Sequence, residues 1–211
     1  MRMIFSIKIW VTFSLLVVVV FFPGCLFVKA PEKKVDIQNQ ALSPQPEIEM
    51  SDELVRTRAG DMIALLPKNW VFLDTKSETS SDIFAVAVNM DYTMSAVFSS
   101  VPDAESHREQ LEKEGLLGLA RVSFQKHLRK TGGHATLIGT YQIAELGVRR
   151  FGLYDFSSAV GGVRSRCAVF TSSTGNHYQF ALVPLAVNGN PAPSDVEQQS
   201  TFRSILATIQ Y

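Results

Sequence analysis

Residues 148–185 constrain the fold of this chain more than any other segment. The runs 148–157, 163–172 and 176–185 are rich in β-branched and aromatic residues and are joined across Gly161-Gly162 and Thr174-Gly175. Glycine reaches the positive φ that tight hairpin turns need, so three antiparallel strands are expected. Pairing both hairpins symmetrically about those turns sets Tyr154 opposite Cys167 and Cys167 opposite Leu182. With Phe156, Val169 and Phe180 beside them, these residues make one apolar face, because side chains alternate along a strand. Phe151, Leu153, Ala168, Phe170, Ala181 and Val183 fall on the other face, which is also mostly apolar. Such a sheet must be covered on both sides.

Two segments have the patterning to cover it. Over 105–130, Ser106 and Glu109 fit a capping box, and Leu117, Arg121, Phe124 and Leu128 recur at helical spacing. Gly115 and Gly118 weaken the middle by roughly 1 kcal/mol each relative to Ala, which predicts a kinked or two-part helix ending at Gly132-Gly133. At the C-terminus, Pro193, Ser194 and Glu197 form a start signal for a helix whose stripe is Phe202, Ile205, Leu206 and Ile209. Upstream, 54–58 and 62–66 flank Gly60-Asp61 as a first hairpin, and Trp70, Val71 and Phe72 follow the break at Pro67. The runs 82–90 and 93–100 around Asp91-Tyr92 form a second hairpin, and 134–143 adds a strand. The expected fold is α+β: a mainly antiparallel sheet with helices on both faces, in three layers.

The N-terminus carries a different message. Arg2 and Lys8 precede an apolar stretch of signal-peptide length, 9–22, which runs into Phe22-Pro23-Gly24-Cys25. This arrangement resembles the lipobox of bacterial lipoproteins. The resemblance implies that 1–24 is a signal peptide, that Cys25 is acylated, and that the mature chain is membrane-anchored through that lipid. No Asp follows Cys25 directly, which by the same analogy implies the periplasmic side of the outer membrane in a two-membrane cell. The competing reading is an uncleaved signal anchor, since Phe22 and Pro23 stand where an aliphatic and a small residue are usual. The apolar run itself is shorter than the ~20 residues that span a bilayer, although Leu26, Phe27 and Val28 extend it. Residues 25–50 read as the lipidated cysteine and a Pro-, Gln-, Lys- and Glu-rich flexible tether, and 51–211 as a single globular domain.

Leu66-Pro67-Lys68-Asn69-Trp70, together with the closing Phe202-Arg203-Ser204-Ile205-Leu206-Ala207-Thr208-Ile209, resembles the PsbP-like family, which includes small bacterial envelope lipoproteins of the DcrB kind. The resemblance spans about residues 54–210. It implies the family's sandwich fold and a binding or assembly module that is not an enzyme. The residues that would mark a photosystem subunit are missing, so that role is not carried over.

The chemistry visible in the sequence is sparse. With 20 basic and 20 acidic residues the chain lacks the basic excess of a nucleic-acid binder. Acylation of Cys25 would leave Cys167 without a disulfide partner, a small apolar residue on a strand. His107, His127, His134 and His177 show no metal-ligand spacing, and no Gly-x-Ser-x-Gly elbow exposes a serine. Neither a cofactor nor a metal is expected. Asp103, Glu105, Glu109, Glu112 and Glu114 gather where a helix N-terminus favours negative charge. Arg149, Arg150, Arg164 and Arg166, on two adjacent strands, are the candidate patch for an anion or an acidic partner. In the symmetric register Arg166 faces Asp155, and Arg164 faces Ser157 with no carboxylate. The expected role is a lipid-anchored interaction or assembly module of the cell envelope, bound to an envelope protein. The alternatives are a carrier or sensor with an apolar pocket between sheet and helix, and an envelope hydrolase.

Overall fold

The structure is a computed structural model that describes residues 39–74, 80–158, 162–185 and 190–211. Cys25, the leader and Gly161 lie outside the described residues. Ten strands are described: β1 (Asn39–Ala41), β2 (Met50–Arg56), β3 (Ile63–Pro67), β4 (Trp70–Phe72), β5 (Ile83–Asn89), β6 (Met94–Ser100), β7 (Ala135–Leu146), β8 (Arg149–Ser158), β9 (Arg164–Thr171) and β10 (His177–Pro184). The helices are α1 (Arg108–Glu114), α2 (Leu116–Lys130) and α3 (Asp195–Thr208), with a 3₁₀ segment at Pro102–His107. Eight strands form one sheet in the order β1-β7-β8-β9-β10-β6-β5-β4, and β2 and β3 pair as a separate hairpin. The expected three layers are present. On one face α2 packs Leu119, Val122 and Phe124 against Tyr154, Cys167, Val169 and Ala181. On the other, α3 and the β2–β3 hairpin cover Phe98, Phe151, Phe170, Phe180 and Leu182.

The second cover is an aromatic core. Phe180 stacks on Phe98 at 5.0 Å and on Phe202 at 5.3 Å, while Phe170 stacks on Tyr211 at 4.7 Å. Such pairs add about 0.5–1.5 kcal/mol each beyond their buried area. Ser194 caps α3 by accepting from the Glu197 amide at 3.2 Å, as the start signal predicts. Its stripe of Phe202, Ile205, Leu206 and Ile209 is buried.

Four sequence expectations need correction. Tyr154 does pair with Cys167, but Cys167 pairs with Ala181, and Leu182 pairs with Arg166. The β9–β10 hairpin closes through the Ser172 amide on the Asn176 carbonyl at 2.8 Å, leaving a three-residue loop with Gly175 at φ 85°. One residue more than the expected two-residue turn slips the register by one. That slip sends Phe180 and Leu182 to the α3 face, and Ala181 and Val183 to the α2 face.

The helix over 105–130 is broken, as expected, at Gly115 (φ 58°, ψ −131°), a conformation open to glycine. Its start differs. Ser106 sits in the 3₁₀ segment, and the N-cap of α1 is His107, which makes no side-chain cap bond.

Residues 39–50, expected as part of the flexible tether, are packed into the folded domain. Residues 39–41 add a parallel strand to β7, the Glu47 amide donates to Ser204 Oγ at 2.9 Å, and Met50 opens β2. A strand of three residues has too little periodicity to stand out in a polar sequence. The fourth correction concerns Arg164, whose observed partners are given below.

Candidate functional site

An open cleft of about 1280 Å³ lies at one end of the sheet. Three segments wall it: the end of β2 with its turn (Arg56–Ala59), the start of β5 with the residues before it, and the chain from Ser100 into α1. The turn of β9–β10 and Tyr178 close the fourth side.

Asp61 sets this geometry. It lies in the β2–β3 turn and reaches across to the β9–β10 turn. Its Oδ1 accepts from Thr57 Oγ1 and Tyr178 Oη, each at 2.8 Å. Its Oδ2 accepts from Ser172 Oγ (2.7 Å), Thr174 Oγ1 (2.5 Å) and Asn176 Nδ2 (2.8 Å). Desolvation pushes the carboxyl up, but the donors from Thr174, Asn176, Ser172 and Tyr178 outweigh it and hold it well below the usual carboxylate range. The hairpin is thereby pinned to the sheet, which fixes Arg56 and Arg58 at the rim. The Arg56 guanidinium lies over Gly60, so close that a Cβ there would meet its Nη2 at 2.9 Å.

The floor is apolar. Val101, Ala104 and Tyr178 are buried, Leu111 is half-buried, and Phe84 meets Tyr178 edge-on at 5.9 Å. Leu73, at the rim beside edge strand β4, is 43% exposed, and Val71 and Phe72 next to it are similarly open. On the charged side, Asp82 is neutralised from beneath by Lys126 at 2.9 Å and Lys130 at 3.8 Å. Arg56, Arg58 and Arg108 are exposed and form no ion pair among the described residues. Asp74 and Glu112 are the other carboxylates of the lining. His177 also lines it, its Nδ1 2.9 Å from Thr171 Oγ1.

The four arginines singled out from sequence occupy other places. Arg166 does face Asp155, as expected, and Arg164 faces Ser157 in register. Arg164 nevertheless has carboxylate partners: Asp155 Oδ2 at 2.7 Å and Asp195 Oδ1 at 3.5 Å. A long guanidinium stem reaches diagonally across the ladder, and the first turn of α3 supplies an acid that strand pairing alone does not reveal. Arg166 binds Asp155 at 3.4 Å and Asp195 at 2.6 Å. Burial pushes the Asp155 carboxyl up in spite of both guanidiniums. Arg149 donates to the carbonyls of Ala207 (3.0 Å) and Ile209 at the C-terminal end of α3, and Arg150 pairs with Glu145 at 3.3 Å.

Beneath α2 lies a polar network that the sequence does not announce. Ser123 Oγ is 2.8 Å from Tyr154 Oη and donates to Gln179 Oε1 at 2.5 Å, while Gln179 Nε2 is 2.8 Å from His127 Nε2. His127 stacks on Phe156 at 4.7 Å, and desolvation brings its pKa down to about 4, with the Gln179 bond opposing. Burial pushes the Cys167 thiol up, so it remains a thiol in the range where a nucleophile would be a thiolate. Ser123 and Cys167 are fully buried, which makes this network a means of holding α2 in place and denies it substrate access. Among the described residues no three His, Cys, Asp or Glu side chains gather to hold a metal.

No family model matches the chain. No curated protein matches it in sequence. Solved structures do. Yeast Mog1p, described as a Ran-binding protein of Saccharomyces cerevisiae, aligns over 77% of this chain and 96% of its own at 13% identity, with a TM-score of 0.46. Cyanobacterial PsbP (CyanoP) from Synechocystis aligns over 75% of this chain and 92% of its own at 16% identity, with a TM-score of 0.52. Strand content, covering helices and this likeness agree: the chain has an α+β sandwich fold of the PsbP-like kind.

Proposed function

We propose that this chain is a lipid-anchored interaction module of the cell envelope, without catalysis, that holds a partner protein in the cleft. The observation that carries the reading is the cleft itself: apolar at the floor, open at the rim, and bordered by three arginines without carboxylate partners among the described residues. The lipobox-like Phe22-Pro23-Gly24-Cys25 supports the anchor.

The carrier reading requires apolar space between a helix and the sheet. Under α2 that layer is filled by Phe124, Tyr154, Val169 and the Ser123–Gln179 network, and the cavity beside α3, about 210 Å³, is small and lined by Gln142, Asp155, Arg164, Arg166 and Arg203. The hydrolase reading requires a serine or aspartate within hydrogen-bond reach of a histidine in an open site. The Ser123–Gln179–His127 chain is closed to substrate, and Thr171, whose hydroxyl lies 2.9 Å from His177 Nδ1, is not among the residues that line the cleft.

Metabolic labelling with radioactive palmitate, followed by membrane fractionation, tests the anchor. Label and membrane association should both disappear in Cys25→Ser. Label retained in that variant, or an unlabelled wild type that still sediments with membranes, would contradict acylation at Cys25 and favour the uncleaved signal anchor.

A further inference from the structure

Resting on the reading that the cleft binds a partner, we propose that its occupant is an acidic segment of another envelope protein. That segment lays apolar side chains on the floor and sets carboxylates against Arg56, Arg58 and Arg108.

Size argues first. At about 1280 Å³ the cleft exceeds the roughly 300–1,000 Å³ of ordinary small-molecule pockets, which fits a run of polypeptide better than a metabolite. Shape argues against a lipid surface. The floor residues Val101, Ala104 and Tyr178 lie below a rim built from three segments, and a flat bilayer does not reach into such a concavity. Chemistry argues against nucleic acid. Strand binders stack bases on exposed aromatic faces, whereas Tyr178 is 6% exposed and its hydroxyl is held by Asp61.

Charge then selects the polypeptide. Of the lining carboxylates, Asp82 already has Lys126 and Lys130, which leaves Asp74 and Glu112 against three arginines. The three arginines are left to face solvent from two different walls, the β2 end and the start of α1. A guanidinium takes a carboxylate through two parallel N–H···O bonds, so glutamates or aspartates spaced along one segment would engage both walls at once. The Asp61 cluster prepares this by holding the Arg56–Arg58 wall in place before the partner arrives.

The test uses the full mature chain in detergent and a fluorescein-labelled ten-residue probe peptide with four Glu and three Leu, read by anisotropy. Counterparts have every Glu changed to Lys or every Leu changed to Ser. The wild type should bind the Glu/Leu peptide. The lysine counterpart should not bind, and the serine counterpart should bind at least fivefold more weakly. Raising salt from 50 to 500 mM should weaken binding about tenfold. Arg56→Gln, Arg58→Gln and Arg108→Gln combined should weaken it by tenfold or more, with the circular dichroism of the wild type retained. Equal binding of the acidic and basic peptides, or undiminished binding by the combined variant, would overturn the proposal, as would no binding of the Glu/Leu peptide. The peptide comparison on wild-type protein stands even if the variant misfolds. Capture of a partner in cells through the cleft, together with any of those negative results, would leave the interaction module standing and remove only its acidic specificity.

Discussion

Arg164 and Arg166 project from β9 between Asp155 and Asp195, and the Arg166 side chain keeps only 9% of its surface exposed. Arg56, Arg58 and Arg108 border the cleft, exposed, and form no ion pair among the described residues. The residue type is the same and the environments are opposite. Around β9, desolvation is severe enough that a lone charge would be expensive, and each guanidinium is matched by carboxylates from the sheet and from α3. At the cleft the guanidiniums are exposed to water, so no internal partner is required, and none is supplied among the described residues. Charge that a fold has neutralised internally contributes to holding the fold together. Charge it has left in water beside an apolar floor remains available for binding. The two groups should therefore respond oppositely to neutralisation.

The largest effect is expected at Arg166. Arg166→Met leaves the half-buried Asp155 with Arg164 as its remaining cation and should cost about 3 kcal/mol in urea unfolding. Adding Asp155→Leu should recover part of that loss, because a carboxyl left with one cation in place of two is then gone. A loss under about 1 kcal/mol would mean that the β9 arginines are no more structural than those of the cleft.

A smaller effect is expected where the two regions meet the fold, at Asp61. Asp61→Asn removes a carboxylate that accepts five hydrogen bonds and should cost about 2 kcal/mol. The sign of its pH dependence follows from the direction of the shift. A carboxyl held below its unfolded value contributes fully above pH ~4, and that contribution is lost as the pH falls further. Unfolding free energies between pH 5 and 2.5 should therefore converge for wild type and Asp61→Asn. A constant gap over that range would remove the carboxylate from the account. Loosening the hairpin should also weaken peptide binding, since Arg56 and Arg58 ride on it.

Much of this architecture is legible in the residues. The hairpins, the break at Gly115, the Ser194 cap and two covered faces follow from local rules, since glycine conformations, capping and strand alternation each act within a few residues. What escapes has a common cause. The β9–β10 slip comes from one added loop residue, which side-chain pattern cannot reveal when both faces are apolar. The Arg164 ion pairs need Asp195, distant along the chain. Likewise, His127 joins Gln179 only because α2 packs across the face of the sheet. The cleft is the extreme case. Arg56-Thr57-Arg58 does carry a local signal, two arginines at strand spacing around the inward-facing Thr57. That they have no ion pair among the described residues and border an apolar floor is a property of four segments brought together by the fold.

The smallest expected effect on stability is at the cleft, and it accompanies the most direct test. A photo-crosslinking amino acid placed at Leu111, on the cleft, or at Val196, 78% exposed on α3, would be irradiated in living cells. The same would be done with Arg56, Arg58 and Arg108 changed to Gln, a combination expected to shift stability by less than about 0.5 kcal/mol. A discrete envelope protein crosslinked from Leu111, absent from Val196 and lost in the neutralised variant, is the result predicted here. Crosslinking from Val196 alone, or from Leu111 with undiminished yield after neutralisation, would contradict the assignment of the cleft arginines to partner binding.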